Sequence, residues 1–128
     1  DLATLTGPAR TALGPEVIPV YSRHDDLVAE VIRHGERVAD PLWRLPLWQP
    51  YMAMLDSKVA DINNAGASPF AGSITAALFL SRFVPGAIPW LHTDIDAWNP
   101  ATRHGRPEGG EAQAIRALYA LIRKGSFR

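Results

Sequence analysis

Ala71-Gly72-Ser73-Ile74-Thr75-Ala76-Ala77-Leu78-Phe79-Leu80-Ser81-Arg82-Phe83-Val84 is apolar on nearly every side of a helical projection, and Pro85-Gly86 closes it. A helix without a polar face has to be buried. Residues 88–95 follow at once as a strand, with Pro89 confined to its beginning, where a missing ladder donor is tolerated. A buried helix feeding a strand is the repeating unit of an α/β layer fold, in which crossover helices cover a central sheet. Gly72, Ser73, Ala76 and Ala77 predict close approach of the helix backbone to the sheet, while Phe79, Leu80 and Phe83 fill volume further along.

The same alternation extends outward in both directions. Residues 2–6 read as a first strand, and Pro8 in a first helical turn opens a short helix over 8–13, closed by Gly14. Residues 17–21 form a second strand. Asp25 is expected to cap the next helix, where Leu27, Val28, Val31, Ile32 and Val38 share one side and Asp26, Glu30, Arg33 and Arg37 make a solvated face. Residues 40–50, rich in Pro and Trp, are expected to form a loop packing through Trp43, Leu45, Leu47 and Trp48, either as a core lid or as a subunit contact. Residues 58–62 read as a third strand and 63–69 as a turn. Beyond the strand over 88–95, a loop over 96–110 precedes a last helix with an apolar stripe of Ala112, Ile115, Leu118, Tyr119 and Ile122. Glu111 near its start and Arg123-Lys124 near its end complement the helix dipole. The expected fold is α/β, three layers, with a mixed central sheet and helices on both faces.

Composition bounds the function. With 128 residues, 47% of them hydrophobic, the chain can bury one core. Thirteen Lys and Arg against thirteen Asp and Glu leave no net charge, which argues against a dedicated nucleic-acid or membrane-surface binder. The longest apolar run, 74–80, is far too short to span a bilayer. There is no Cys, hence no disulfide framework and no thiolate nucleophile or metal site, as suits a reducing cytoplasm. Asp1 leads directly into strand-like sequence, which suggests a piece of a longer protein.

Thr4-Leu5-Thr6-Gly7 lies where a strand ends and a helix begins, the place where open α/β sheets collect ligands; a plain strand end with a turn glycine is the competing reading. His92, Asp94 and Asp96 alternate along a strand and so project from one face. They could begin a divalent-metal shell, but no fourth ligand accompanies them, and buried hydrogen bonds at the strand end are the preferred reading. The glycine-rich run 103–110 lacks a Gly-Lys-Ser/Thr ending, and Glu108 and Glu111 oppose phosphate there, so capping and loop closure are expected. Neither Gly-x-Ser-x-Gly nor His-Glu-x-x-His occurs, which removes support for a serine hydrolase or a helix-borne zinc protease.

Taken in order, Ala3-Thr4-Leu5-Thr6-Gly7, Arg44-Leu45-Pro46-Leu47-Trp48, Lys58-Val59-Ala60-Asp61-Ile62-Asn63-Asn64, Ala71 to Leu80 and Trp90-Leu91-His92-Thr93-Asp94-Ile95 resemble the C-terminal part of the catalytic domain of the leucyl aminopeptidase (cytosol aminopeptidase) family, over almost the whole chain. The resemblance implies a parent enzyme that releases N-terminal residues from peptides with two divalent ions, Zn or Mn. It implies a cytoplasmic homo-oligomer, a hexamer in the family. The family's metal ligands lie in a block reading Asn-Thr-Asp-Ala-Glu-Gly-Arg and in Lys and Asp residues before it. Nothing here matches that block, so residues 1–128 are expected to be the later portion of the domain, carrying no catalytic or metal-binding residue and inactive alone. By the same resemblance Thr4 and Gly7 shape the pocket for the substrate's first side chain, and Leu5 offers main-chain groups to the peptide. Pro8 replaces a small residue that carries an N–H. Asp96-Ala97-Trp98-Asn99 departs from the family's usual Ala-Gly pair, which makes Ala97 and Trp98 candidates for altered selectivity. A non-catalytic peptide-binding or assembly module is the alternative. Either way, a domain cut through its sheet is expected to expose a strand edge and apolar surface, and so to associate.

Overall fold

The computed structural model describes residues 1–4, 6–66 and 68–125, without the side chain of Thr4. Strands β1 (Leu2–Thr4), β2 (Ile18–Tyr21), β3 (Leu42–Arg44) and β4 (His92–Ile95) form one sheet in the order β1-β4-β2-β3. β1 runs parallel to β4 and β2 parallel to β3, while β2 and β4 are antiparallel, so the sheet is mixed as expected. The period of two along β2 divides the molecule. Ile18 and Val20 enter a core with Leu27, Val28 and Val31 of α2 (Asp25–Arg37) and Ala117 and Leu121 of α4 (Ile115–Arg123). Tyr21 turns to the other face and stacks on His92. On that side α1 (Gly7–Leu13) packs against α3 (Gly72–Ser81). Helices therefore cover both faces of the sheet.

Several boundaries differ from expectation. His24, not Asp25, is the N-cap of α2, and Asp25 and Asp26 sit in its first turn where they favour the dipole. Within 40–50 the structure has strand β3, which only Leu42 buries, so no alternation marked it. Trp43 and Trp48 are exposed, which excludes them as a core lid. A 3₁₀ helix, Gln49–Leu55, follows. Residues 58–62 are not a strand. There the Ser57 hydroxyl accepts hydrogen bonds from the backbone N–H groups of Val59 and Ala60, a side-chain turn that competes with extended pairing, and Val59 is 96% exposed. α3 is shorter than 71–84, and Phe83 lies exposed beyond its end. β4 starts at His92, because residues 85–88 turn through an Ile88 N–H to Pro85 carbonyl bond. Residues 96–110 are not merely a loop, since β5 (Trp98–Asn99) pairs antiparallel with β6 (Gly109–Gly110).

The last helix shows the largest departure. Of the apolar stripe read there, Ile115, Tyr119 and Ile122 are exposed, and Ala112 precedes the helix. Ala114, Ala117 and Leu121 pack inward instead, with Leu118 beside them. Small residues won the buried face because α4 lies close against α2. Its start is set by Asp40 rather than Glu111. The Asp40 carboxylate, 1% exposed, accepts the N–H of Ala114 at 3.1 Å and of Ala117 at 3.0 Å, and Arg116 donates to it at 3.2 Å. Gly72, expected to bring α3 onto the sheet, instead meets α1: a Cβ there would lie 2.8 Å from Pro8 Cγ.

Candidate functional site

Because β1 and β4 are parallel, with Thr4 opposite Ile95, their carboxyl ends open side by side at one end of the sheet. That is where open α/β sheets present ligand-binding loops. From β1 the chain passes through Thr6, the N-cap of α1, whose hydroxyl accepts the Ala9 N–H at 3.3 Å. The Thr6 N–H donates to Asp94 Oδ1 at 2.7 Å, so the β1 turn is tied to the neighbouring strand by a carboxylate with no exposed surface. Gly7 follows as the first helical residue, and a Cβ there would meet no described atom within 4 Å. Gly7 is itself exposed, while Ala9 in the same turn is buried. Pro8 falls in that first turn, where its missing N–H has no intrahelical partner to lose, and its ring fills the space that Gly72 leaves.

Behind the turn lies a polar and aromatic layer. His92 Nδ1 donates to Asp1 Oδ1 at 2.5 Å, and the Trp90 indole N–H donates to Asp1 Oδ2 at 2.6 Å. The His92 ring lies between Tyr21 and Trp90, with centroids 5.7 and 6.5 Å away. Burial pulls His92 down to about 4, against an opposing pull from Asp94, so it is neutral at pH 7. Burial likewise raises the Asp94 carboxyl above its ordinary value, partly offset by its hydrogen bonds to Thr6. Among the described residues the Tyr21 hydroxyl and Asp94 Oδ2 have no hydrogen-bond partner.

Tyr21 makes the layer testable. Burial pushes its phenol up to about 12 from 10.0, the Asp94 charge adding to the rise and Ser73 opposing it. Between those values the unfolded chain releases a proton that the folded one keeps. Stability from this group is therefore complete below pH 10 and lost as pH rises toward 12. Urea melts at several alkaline pH values should show a loss of about 2–3 kcal/mol across that window, absent in Tyr21→Phe. Equal alkaline slopes in the two proteins would refute it.

The residues singled out in sequence are gathered only in part. Thr4 ends β1 and Gly7 begins α1, on either side of Leu5, which lies outside the described residues. Ala97 and Trp98 follow the adjacent strand end but are drawn toward α4. Ala97 has φ 53°, its N–H donates to Gln113 Oε1 at 2.8 Å, and its carbonyl accepts the Glu111 N–H at 2.9 Å. Trp98, 55% exposed, lies opposite Gly110 on the β5–β6 ribbon. His92, Asp94 and Asp96 are each engaged elsewhere, Asp96 by a long 3.8 Å ion pair to Arg10. Among the described residues no group of three His, Asp or Glu side chains is placed to hold a metal ion. The run 103–110 is closed by Glu111, whose nearly buried carboxylate takes both Arg103 and Arg106. Gln113 and Asp40 escaped sequence reading, since a lone amide or carboxylate between elements carries no local pattern.

Fold and turn together define part of a three-layer α/β domain, with the β1–α1 turn at the carboxyl end of its parallel strand pair. Residues 1–119 match the family model described as the cytosol aminopeptidase family, catalytic domain. The chain is 46% identical over 124 residues to a probable cytosol aminopeptidase of Syntrophotalea carbinolica, covering 95% of this chain and 24% of that protein. It is 43% identical to the one of Roseiflexus castenholzii, over 96% of this chain and 25% of that protein. Its fold matches the crystal structure of cytosol aminopeptidase from Coxiella burnetii with a TM-score of 0.90 and 48% identity, over 100% of this chain and 28% of that one. The bottromycin maturation enzyme BotP in complex with Mn also matches, with a TM-score of 0.90, 36% identity, and 99% and 28% of the two chains covered. The chain belongs to the cytosol aminopeptidase family, and it spans about a quarter of the length, 24% and 25%, of these two curated relatives.

Proposed function

We propose that this chain is the later portion, residues 1–128, of the catalytic domain of a metal-dependent aminopeptidase that removes N-terminal residues from peptides. Its part is to wall the substrate pocket and scaffold the sheet. The observation that carries this reading is the β1 turn, held by the Thr6–Asp94 bond beside the end of β4, in a fold shared with an aminopeptidase at 48% identity. Thr4 and Gly7 shape the pocket for the first side chain, and Leu5 contributes main-chain groups to the peptide. Ala97 and Trp98 lie beyond the adjacent strand end and tune which side chain is preferred.

The parent enzyme uses two divalent ions, Zn or Mn, with ligands outside residues 1–128, since nothing in the sequence matches the family's ligand block. The chain alone is then inactive. The relatives' names agree with a cytoplasmic location, and among the described residues no helix is long and apolar enough to cross a membrane. Exposed Trp43, Trp48 and Phe70 fit burial against other copies in a homo-oligomer such as a hexamer.

A chimera tests the reading: residues 1–119 replace the matching stretch of the Coxiella burnetii enzyme. The chimera is expected to hydrolyse leucine p-nitroanilide only with Mn or Zn present, whereas the 128-residue chain alone does not. In the chimera, Asp94→Ala should raise KM roughly tenfold with less effect on kcat, as loss of one hydrogen bond that orders the binding turn predicts. A folded chimera without activity, or unchanged KM in the variant, would overturn it.

A further inference from the structure

A groove lies on the opposite face of the sheet from α1. Val38, Arg116, Tyr119, Ala120, Arg123 and Lys124 line a groove of about 530 Å³ between the end of α2 and the outer side of α4. The chain as a whole has thirteen cationic and thirteen anionic side chains, yet among the described residues this lining has three cations and no carboxylate.

Arg116, Tyr119, Ala120 and Arg123 follow the spacing i, i+3, i+4, i+7, so they form a single stripe along α4. Dipole complementation accounts for Arg123 and Lys124 in or beside the last turn, but not for Arg116 in the first, where the helix end is itself positive. Arg116 is fixed there by Asp40 Oδ1 and the Ala39 carbonyl, both at 3.2 Å and both through one terminal nitrogen. Among the described residues the rest of its planar fork has no partner. Among the described residues Arg123 and Lys124 have no ion-pair partner. Glu30, the acid whose field reaches Lys124, is held by Arg33. Tyr119 is 64% exposed between these cations and offers an open aromatic face.

A fixed guanidinium, two unpaired cations and a free aromatic ring match a ligand that carries both a phosphate and a planar base. We propose that this groove binds a mononucleotide, its phosphate on Arg123, Lys124 and the free side of Arg116, its base stacked on Tyr119. The site is independent of the aminopeptidase reading and is tested on the chain itself.

Adenosine 5′-monophosphate, adenosine and inorganic phosphate would each be titrated into the labelled chain and followed by amide NMR at about 150 mM salt, where long-range surface attraction is screened. The monophosphate is expected to saturate with Kd of about 1 mM or tighter, about tenfold below either half alone, and to shift residues 116–124. Arg123→Gln and Tyr119→Leu, both on the exposed side of α4, should each weaken it about fivefold or more. Equal affinity for inorganic phosphate, shifts centred elsewhere, indifference to both variants, or saturation only by a longer oligonucleotide would overturn the proposal.

Discussion

Asp40→Ala is expected to destabilise the chain by about 3–5 kcal/mol, the range for stripping a partner from a buried charged network. Asp40 is 1% exposed and terminates three donors at once: the N–H groups of Ala114 and Ala117 and the Arg116 guanidinium. Alanine leaves two backbone donors at the first turn of α4 without an acceptor and no room for bulk water. Each such orphan costs about 1–3 kcal/mol, on top of the lost cap. Against a total stability of about 5–15 kcal/mol this is a large fraction, and α4 supplies Ala117 and Leu121 to the core. Urea unfolding followed by circular dichroism measures it. Asp40→Asn keeps one acceptor and should lose less than half as much. A loss below about 1 kcal/mol for the alanine variant would show that α4 does not depend on this cap.

Gly35→Ala, the second large effect, is expected to cost at least about 3 kcal/mol, the upper end of overpacking penalties. At an ordinary exposed helix position the same change would gain about 0.8–1.0 kcal/mol, so even the sign is diagnostic. Near the end of α2 an added Cβ would lie 2.4 Å from the Asp40 carbonyl oxygen and 2.4 Å from Leu42 Cδ1. The leucine can turn away. The carbonyl cannot, because the Gly35 carbonyl accepts the Asp40 N–H at 2.9 Å and holds the two backbones together. Relief requires α2 to separate from β3, which displaces Asp40 from α4 as well. The double variant Gly35→Ala, Asp40→Ala should therefore cost clearly less than the sum of the two singles. Additive losses would mean that the clash relaxes locally.

Both effects lie at a junction that local sequence patterns did not reveal. The α/β class and most of α1, α2 and α3 were legible, because short strand-like runs, a helix with a polar side and a wholly apolar helix leave distinct local signals. Helix α2 is the clearest case. Its inward residues Leu27, Val28 and Val31 are those the period of 3.6 selected. β3 left no such signal, being three residues long with one buried side chain. α4 left its buried side open, for Ile115, Tyr119 and Ile122 lie outside while Ala117 and Leu121 lie inside. Periodicity identifies a stripe but does not say which side meets a neighbour when both sides are apolar.

At the candidate site, the Thr-Leu-Thr-Gly turn was found from its place between strand and helix and from family resemblance. The bonds that hold it were not. Asp94 reaches Thr6 from 88 positions away, and Gln113 reaches Ala97 from 16 away.

By itself, the sequence determined the class of fold, the absence of thiol chemistry, the family and the turn where ligand is expected, since each of these rests on residue type, local spacing or segment order. Tertiary structure alone decided which face of α4 is buried, which carboxylate caps it, where the metal-like triplet of His92, Asp94 and Asp96 is spent, and that three cations surround Tyr119. Those outcomes depend on which distant groups meet, and in a closely packed interior a fraction of an ångström between two backbones, as at Gly35 and Asp40, settles the meeting.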